Sequence, residues 1–364
     1  MKEIDLDIRK IIVYLLILIP SFLPIVFYPK NEVMNIPVNN KMIIQLPKDP
    51  FDLPKLYFLL IVLTLIIGFM ILHWLDNNKI IINKDVTILY SCLFLLFVLF
   101  SSIFSKYSNR VIIGRHSRWE GLIAFIAYIS IFLLHLNFFI NKNEVNKLFK
   151  LTFYVGIIIS VFGLLQLFNL DFITDHQLVP TFGKRISVTI GNPNFVGSYA
   201  VIILSISLIL YIFKGENKIN LFYLLTTSLF YTLLIATSTR SAMLSFAIIF
   251  IFITLFFRKY LLNHKKKLII IIIVFLIITI SIDIYQGGFL TNRVLELIFD
   301  VQKLTEIDSD KSTIGSSRYT IYRHSIPLLF KHPIFGSGPD TFDKIFPLKE
   351  IINFVHKIIV FFIN

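Results

Sequence analysis

Nine apolar runs, each roughly 16–20 residues long and set apart by short polar segments, constrain this chain more than any other feature. They fall near residues 11–27, 56–75, 86–104, 122–140, 151–168, 196–213, 221–236, 242–257 and 268–285. At a rise of about 1.5 Å per residue, about 20 helical residues cross a hydrocarbon core of about 30 Å. No water reaches backbone N–H and C=O groups inside lipid, so a run that crosses must satisfy them within itself, as an α-helix. The expected fold is all-α: a polytopic transmembrane bundle of about nine helices over residues 1–285, one long extracytoplasmic loop with short amphipathic helices over 286–350, and a short apolar tail over 351–364. A chain that is 56% hydrophobic and 16% charged, with mean hydropathy +0.79, is far from the balance of a soluble domain. The first run follows Lys2, Arg9 and Lys10 as a signal peptide would. It lacks a small-residue cleavage site and more spans follow, so it reads as a retained helix.

The formal charge of +13 resides in loops between apolar runs and not on one soluble face. This argues against a nucleic-acid partner and for a lipid bilayer as the surroundings. The loops on the N-terminal side carry about 15 Lys and Arg, against about 11 on the other side before the long loop. Arg258, Lys259, Lys265, Lys266 and Lys267 form the densest group, and the bias places the N-terminus in the cytoplasm. Segments 28–55, 105–121, 169–195 and 286–350 then face outward, together with the turn at 238–241. Cys92 is the single cysteine, which excludes an intrachain disulfide framework and a Cys-based zinc site. His116, His176, His264, His324, His332 and His356 keep no metal-ligand spacing with Asp, Glu or Cys. No phosphate loop or nucleophile elbow is present, so no cofactor and no ATP-driven step is expected.

Four outward clusters carry the candidate chemistry. Arg115-His116-Ser117-Arg118-Trp119-Glu120-Gly121 precedes the fourth span, and reads either as an interfacial Trp/Arg anchor or as a basic patch for an anionic headgroup. Gly183-Lys184-Arg185 leads into Gly191-Asn192-Pro193-Asn194 at the start of the sixth span. Those Pro and Asn residues are ordinary helix-start signals, but a helix N-terminus beside Arg185 also suits a phosphate. Ser238-Thr239-Arg240-Ser241 fills a tight outward turn where an arginine runs against the positive-inside trend. Arg240 either snorkels to the interface or pairs its planar fork with phosphate oxygens. In the long loop, Arg318, Tyr322 and Ser325 share one helical face and Ile321, Leu328 and Leu329 another, ahead of a Gly/Pro-rich reversal at 332–342.

In order, Arg118-Trp119-Glu120-Gly121, Gly191-Asn192-Pro193-Asn194, Thr237-Ser238-Thr239-Arg240-Ser241, Arg318 with Tyr322, and His332-Pro333-Ile334-Phe335-Gly336-Ser337-Gly338-Pro339-Asp340-Thr341-Phe342 resemble the O-antigen ligase and O-antigen polymerase superfamily of bacterial membrane glycosyltransferases. The resemblance runs from about residue 10 to residue 347. It implies a multi-pass protein of the bacterial inner membrane that moves a glycan from a polyprenyl-diphosphate donor to a glycan, lipid or protein acceptor outside the cytoplasm, with no metal or nucleotide sugar. It also implies that Arg240 and Arg318 contact the lipid diphosphate, with Arg185, Arg115 and Arg118 as further substrate-binding residues. Family members continue to an outer-loop His-Asn pair whose histidine activates the acceptor. Here the pattern stops near Pro347, and His356 is followed by Lys357. The resemblance therefore suggests either a glycosyltransferase of this type or a C-terminally truncated form of one that binds donor without completing transfer. A lipid-linked oligosaccharide flippase is the alternative, but His135 is the one plausible midplane group and no internal symmetry is evident.

Overall fold

The computed structural model describes residues 2–28, 33–38, 42–47, 49–77, 85–116, 118–138, 141–171, 182–213, 217–305 and 318–346. Ser117, His176, Ser316, Ser317, Pro347, His356 and Lys357 lie outside these residues, as does the apolar tail. In chain order the helices are α1 (Lys2–Phe22), α2 (Asp52–Asn77), α3 (Val86–Ile103), α4 (Ser108–Ile113), α5 (Leu122–Phe138), α6 (Lys142–Leu167), α7 (Pro193–Phe213), α8 (Asn217–Ala236), α9 (Arg240–Phe256), α10 (Arg258–Asn263), α11 (Lys265–Tyr285), α12 (Phe289–Thr305), α13 (Arg318–Lys331) and α14 (Phe342–Ile345).

Each of the nine expected apolar runs is helical over most of its described length. Six helices (α1, α2, α3, α6, α7 and α11) are long and apolar enough to cross a membrane by length and composition, and Leu122–Phe138, Asn220–Ala236 and Arg240–Phe256 are apolar but shorter. Helices also extend past the apolar runs. α6 begins at Lys142 because Asn141 and Glu144 form a reciprocal capping box, satisfying N–H groups beyond the hydrophobic stretch. Among the described residues one hairpin is extended: β1 (Val33–Val38) pairs antiparallel with β2 (Met42–Pro47), Val33 opposite Pro47 and Val38 opposite Met42.

The chain divides into two compact units, Met1–Lys79 with Phe138–Leu297, and Ile80–Asn137 with Ile298–Asn364. In the first, α7 is central: 56% of its span is buried, against 17% for α11, so α7 packs on protein while α11 keeps most of its surface for lipid. Ala200, Leu204 and Leu208 of α7 meet Val155 and Ile159 of α6 and Phe230, Leu233 and Leu234 of α8, all nearly inaccessible. Lipid offers no hydrophobic drive for helix association, so close contact and interhelical hydrogen bonds have to supply it. Ser207 of α7 bonds Thr227 of α8 at 2.8 Å, and Tyr231 of α8 bonds Thr279 of α11 at 2.9 Å. Gly197 lets α9 close on α7, since a Cβ there would lie 2.9 Å from Ala242 Cβ and 3.1 Å from Thr239 Cβ.

In the second unit the Gly/Pro-rich reversal docks on the corner between α3 and α5. Phe335 stacks on Phe104 with ring centroids 5.2 Å apart, and Ser105 donates to the Ser337 carbonyl at 2.5 Å. α13 starts at Arg318, with Tyr322 exposed on the face it shares with Arg318, but the opposite face is split, Leu328 buried and Leu329 exposed.

Candidate functional site

The first unit gathers the segments around residues 24, 51, 189 and 237 at one end of the bundle. Gly191 packs on the Phe51 ring, Thr189 donates to the Pro24 carbonyl at 2.7 Å, and Lys55 Nζ donates to the Ile190 carbonyl at 2.9 Å. The segment before α7 is held in an unusual shape. Val188 takes φ +43°, a left-handed conformation costly for a β-branched residue. The Gln166 amide oxygen stabilises it by accepting from the N–H groups of Ser187 at 3.0 Å and Val188 at 2.8 Å.

The turn between α8 and α9 is buried and polar: Thr237 and Ser238 are inaccessible and Thr239 is 2% exposed. Buried backbone carbonyls and hydroxyls need partners. Arg185 supplies them, with Nε donating to the Thr237 carbonyl at 2.8 Å and Nη2 to Asn194 Oδ1 at 2.8 Å and Thr239 Oγ1 at 2.9 Å. One guanidinium thus ties together the loop before α7, the first turn of α7 and the turn before α9. Thr239, the residue preceding α9, also donates to the Pro193 carbonyl at 3.0 Å and makes no side-chain cap to α9.

Arg240 opens α9 beside this brace. Its side chain is 13% exposed, and its Nη1 lies 3.7 Å from Glu296 Oε2, the same oxygen that lies 3.0 Å from Arg293 Nη1. Arg293 and Glu296 belong to α12, which the chain reaches through Gly287 and Gly288 at φ +64° and +77°. Asp283 fixes the start of α12 by accepting from the Thr291 N–H at 3.0 Å. Lys184 Nζ donates to the Gln286 carbonyl at 2.5 Å, and Gln286 Nε2 returns a bond to the Lys184 carbonyl at 3.1 Å. Burial first, then the positive charges of Arg293 and Arg240, lower the Arg185 pKa to about 10, so it is still a cation at neutral pH. The result is three mutually repelling guanidiniums beside a half-exposed carboxylate, at the end of an apolar bundle. Forked N–H donors of this kind match the geometry of phosphate and carboxylate oxygens.

The outward clusters therefore sort by unit. Arg185 and Arg240 come together in the first, joined by Arg293 and Glu296, which had not been singled out from sequence. The available signal was the helical spacing of Leu290, Val294 and Leu297 after a Gly-Gly reversal. Arg115, Arg118 and Arg318 lie in the second unit. There the backbone N–H of Arg115 donates to Asp340 Oδ2 while its side chain is exposed. Arg118 pairs with Glu120 at 2.6 Å and approaches Asp340 at 3.9 Å, and Arg110 pairs with Asp343 at 2.8 Å. Arg118 thus faces acids of its own chain, and Arg318 stands exposed at the first residue of α13. Among the described residues no group of three or more His, Cys, Asp or Glu could hold a metal ion.

Residues 222–358 match the family model described as O-Antigen ligase, a segment that contains Arg240, Arg293, Glu296, Arg318 and the reversal at 332–342. No curated protein and no solved structure matches the chain. Residues 222–358, on a chain of many apolar helices, are therefore similar to the O-antigen ligase family.

Proposed function

We propose that this protein transfers a glycan from a polyprenyl-diphosphate donor to an acceptor hydroxyl on the extracytoplasmic side of the bacterial inner membrane, with its N-terminus in the cytoplasm. The acceptor oxygen bonds to the anomeric carbon as the bond from that carbon to the diphosphate breaks. The electron pair leaves with the polyprenyl diphosphate, and the hydroxyl proton is released. Negative charge grows on the leaving diphosphate as the bond stretches, so guanidiniums already in place stabilise the transition state more than the bound donor.

The observation that carries this reading is the cluster of Arg185, Arg240 and Arg293 at one end of an apolar helix bundle, within or next to the segment that matches the ligase family. A diphosphate headgroup meets the cations there while its polyprenyl chain stays in lipid. Arg318, Arg115 and Arg118 are proposed as further substrate-binding residues. In proteoliposomes supplied with a polyprenyl-diphosphate glycan and an acceptor, the wild type is expected to release polyprenyl diphosphate with glycan joined to acceptor. Arg240→Ala is expected to lose that release. Movement of intact donor across the bilayer, without release, would overturn the transferase reading. Reporter fusions after residues 104 and 263 test the orientation, with the first expected outside and the second inside.

A further inference from the structure

We propose that Arg293 is one of the residues that hold the donor's diphosphate, and that Glu296 is a displaceable carboxylate occupying the place of a phosphate oxygen until the donor arrives. This rests on the diphosphate reading of the Arg240 cluster. A single oxygen, Glu296 Oε2, lies between guanidiniums from two different elements, 3.0 Å from Arg293 Nη1 and 3.7 Å from Arg240 Nη1. An acceptor oxygen shared by two arginines is what a bridging phosphate oxygen would provide, with more charge and more lone pairs.

Exposure separates the partners. The arginine side chains are 13% and 22% exposed and the glutamate 52%, so the cations are held by the fold while the carboxylate stands at the mouth. At 3.7 Å the contact with Arg240 is an ion pair without hydrogen-bond geometry, and little direct bonding is lost there when the carboxylate leaves. Arg293 meanwhile keeps a buried Nε that meets no hydrogen-bond partner among the described residues. A buried donor left unmade is unfavourable, and an incoming phosphate oxygen would relieve it. The start of α12 is pinned by Asp283, so a rotamer change at Glu296 is enough to open the position and the helix need not move.

The test uses the full chain in lipid nanodiscs. Binding of inorganic diphosphate, and separately of a short-chain polyprenyl diphosphate, is measured by calorimetry for the wild type, Glu296→Gln, Glu296→Asp, Arg293→Ala, Arg293→Lys and Arg240→Ala. Removing the internal competitor is expected to tighten binding about tenfold in Glu296→Gln, with Glu296→Asp between it and wild type, and Arg293→Ala is expected to weaken binding about tenfold with partial rescue by lysine. A gain for both probes identifies the lipid-linked headgroup as the ligand, and a gain for inorganic diphosphate alone identifies a free anion. If Glu296→Gln and Arg293→Ala both bind as the wild type does while Arg240→Ala fails to bind, the displaceable carboxylate is refuted and the diphosphate reading stands. If neither the wild type nor any variant binds either probe, both fall.

Discussion

Replacing Arg185 by alanine separates bracing from binding at this site. Arg185 makes three hydrogen bonds, at 2.8, 2.8 and 2.9 Å, to groups in or beside a buried turn. A hydrogen bond involving a charged group contributes about 1.5–3 kcal/mol net. The three share one side chain and do not add independently. Arg240 and Arg293 repel Arg185, which offsets part of the gain. The expected destabilisation for Arg185→Ala is therefore about 3 kcal/mol, dominated by the orphaned Thr237 carbonyl and Asn194 side chain. Arg185→Lys restores the charge but not the fork, and is expected to recover about 1 kcal/mol. The assay is reversible unfolding in mixed detergent micelles with increasing dodecyl sulfate. A double-mutant cycle with Asn194→Ala is expected to give a coupling of about 1 kcal/mol. An unfolding free energy for Arg185→Ala within about 0.5 kcal/mol of wild type would refute the bracing role, since surface substitutions away from such networks fall in that range.

Gln166→Leu removes the oxygen that accepts from Ser187 and Val188, and is expected to cost about 2–3 kcal/mol in the same unfolding assay, because two buried N–H groups lose their acceptor beside a left-handed Val188. Gly197→Ala puts a methyl group 2.9 Å from Ala242 Cβ, and is expected to cost about 1–3 kcal/mol and to weaken diphosphate binding by displacing the turn that leads into Arg240. In the second unit, Gly338→Ala combines φ +110° with a Cβ 2.6 Å from Val111 Cγ2. It is expected to make the 332–342 reversal hypersensitive to protease while the first unit keeps its protection. Arg240→Lys keeps the charge and is expected to bind diphosphate about tenfold more weakly than wild type, since an ammonium cannot form the bidentate contact.

The spans were legible because lipid imposes a local rule. A segment that crosses must be apolar, long and helical, and each apolar run carries that information without its neighbours. The helix ends were less legible, since caps such as Asn141 with Glu144 extend α6 beyond the hydrophobic stretch. Arg240 could be singled out from sequence because an arginine stands in a very short turn between two apolar runs. Arg185 could be named but not its task, for its three acceptors come from segments that meet only once α7, α8 and α9 have packed.

For Arg293 and Glu296 the sequence signalled a helix but not a site. On α12 they read as an ordinary i,i+3 surface pair, and they become part of a site because the Gly287-Gly288 reversal and the Asp283 cap direct α12 toward the start of α9. The sequence by itself determined that this is a helical chain with many apolar spans and with cations on the segments between them. Only the tertiary structure decided which of those cations share an anion and which are occupied holding the chain together, because charge proximity depends on how distant helices pack and not on their spacing along the chain.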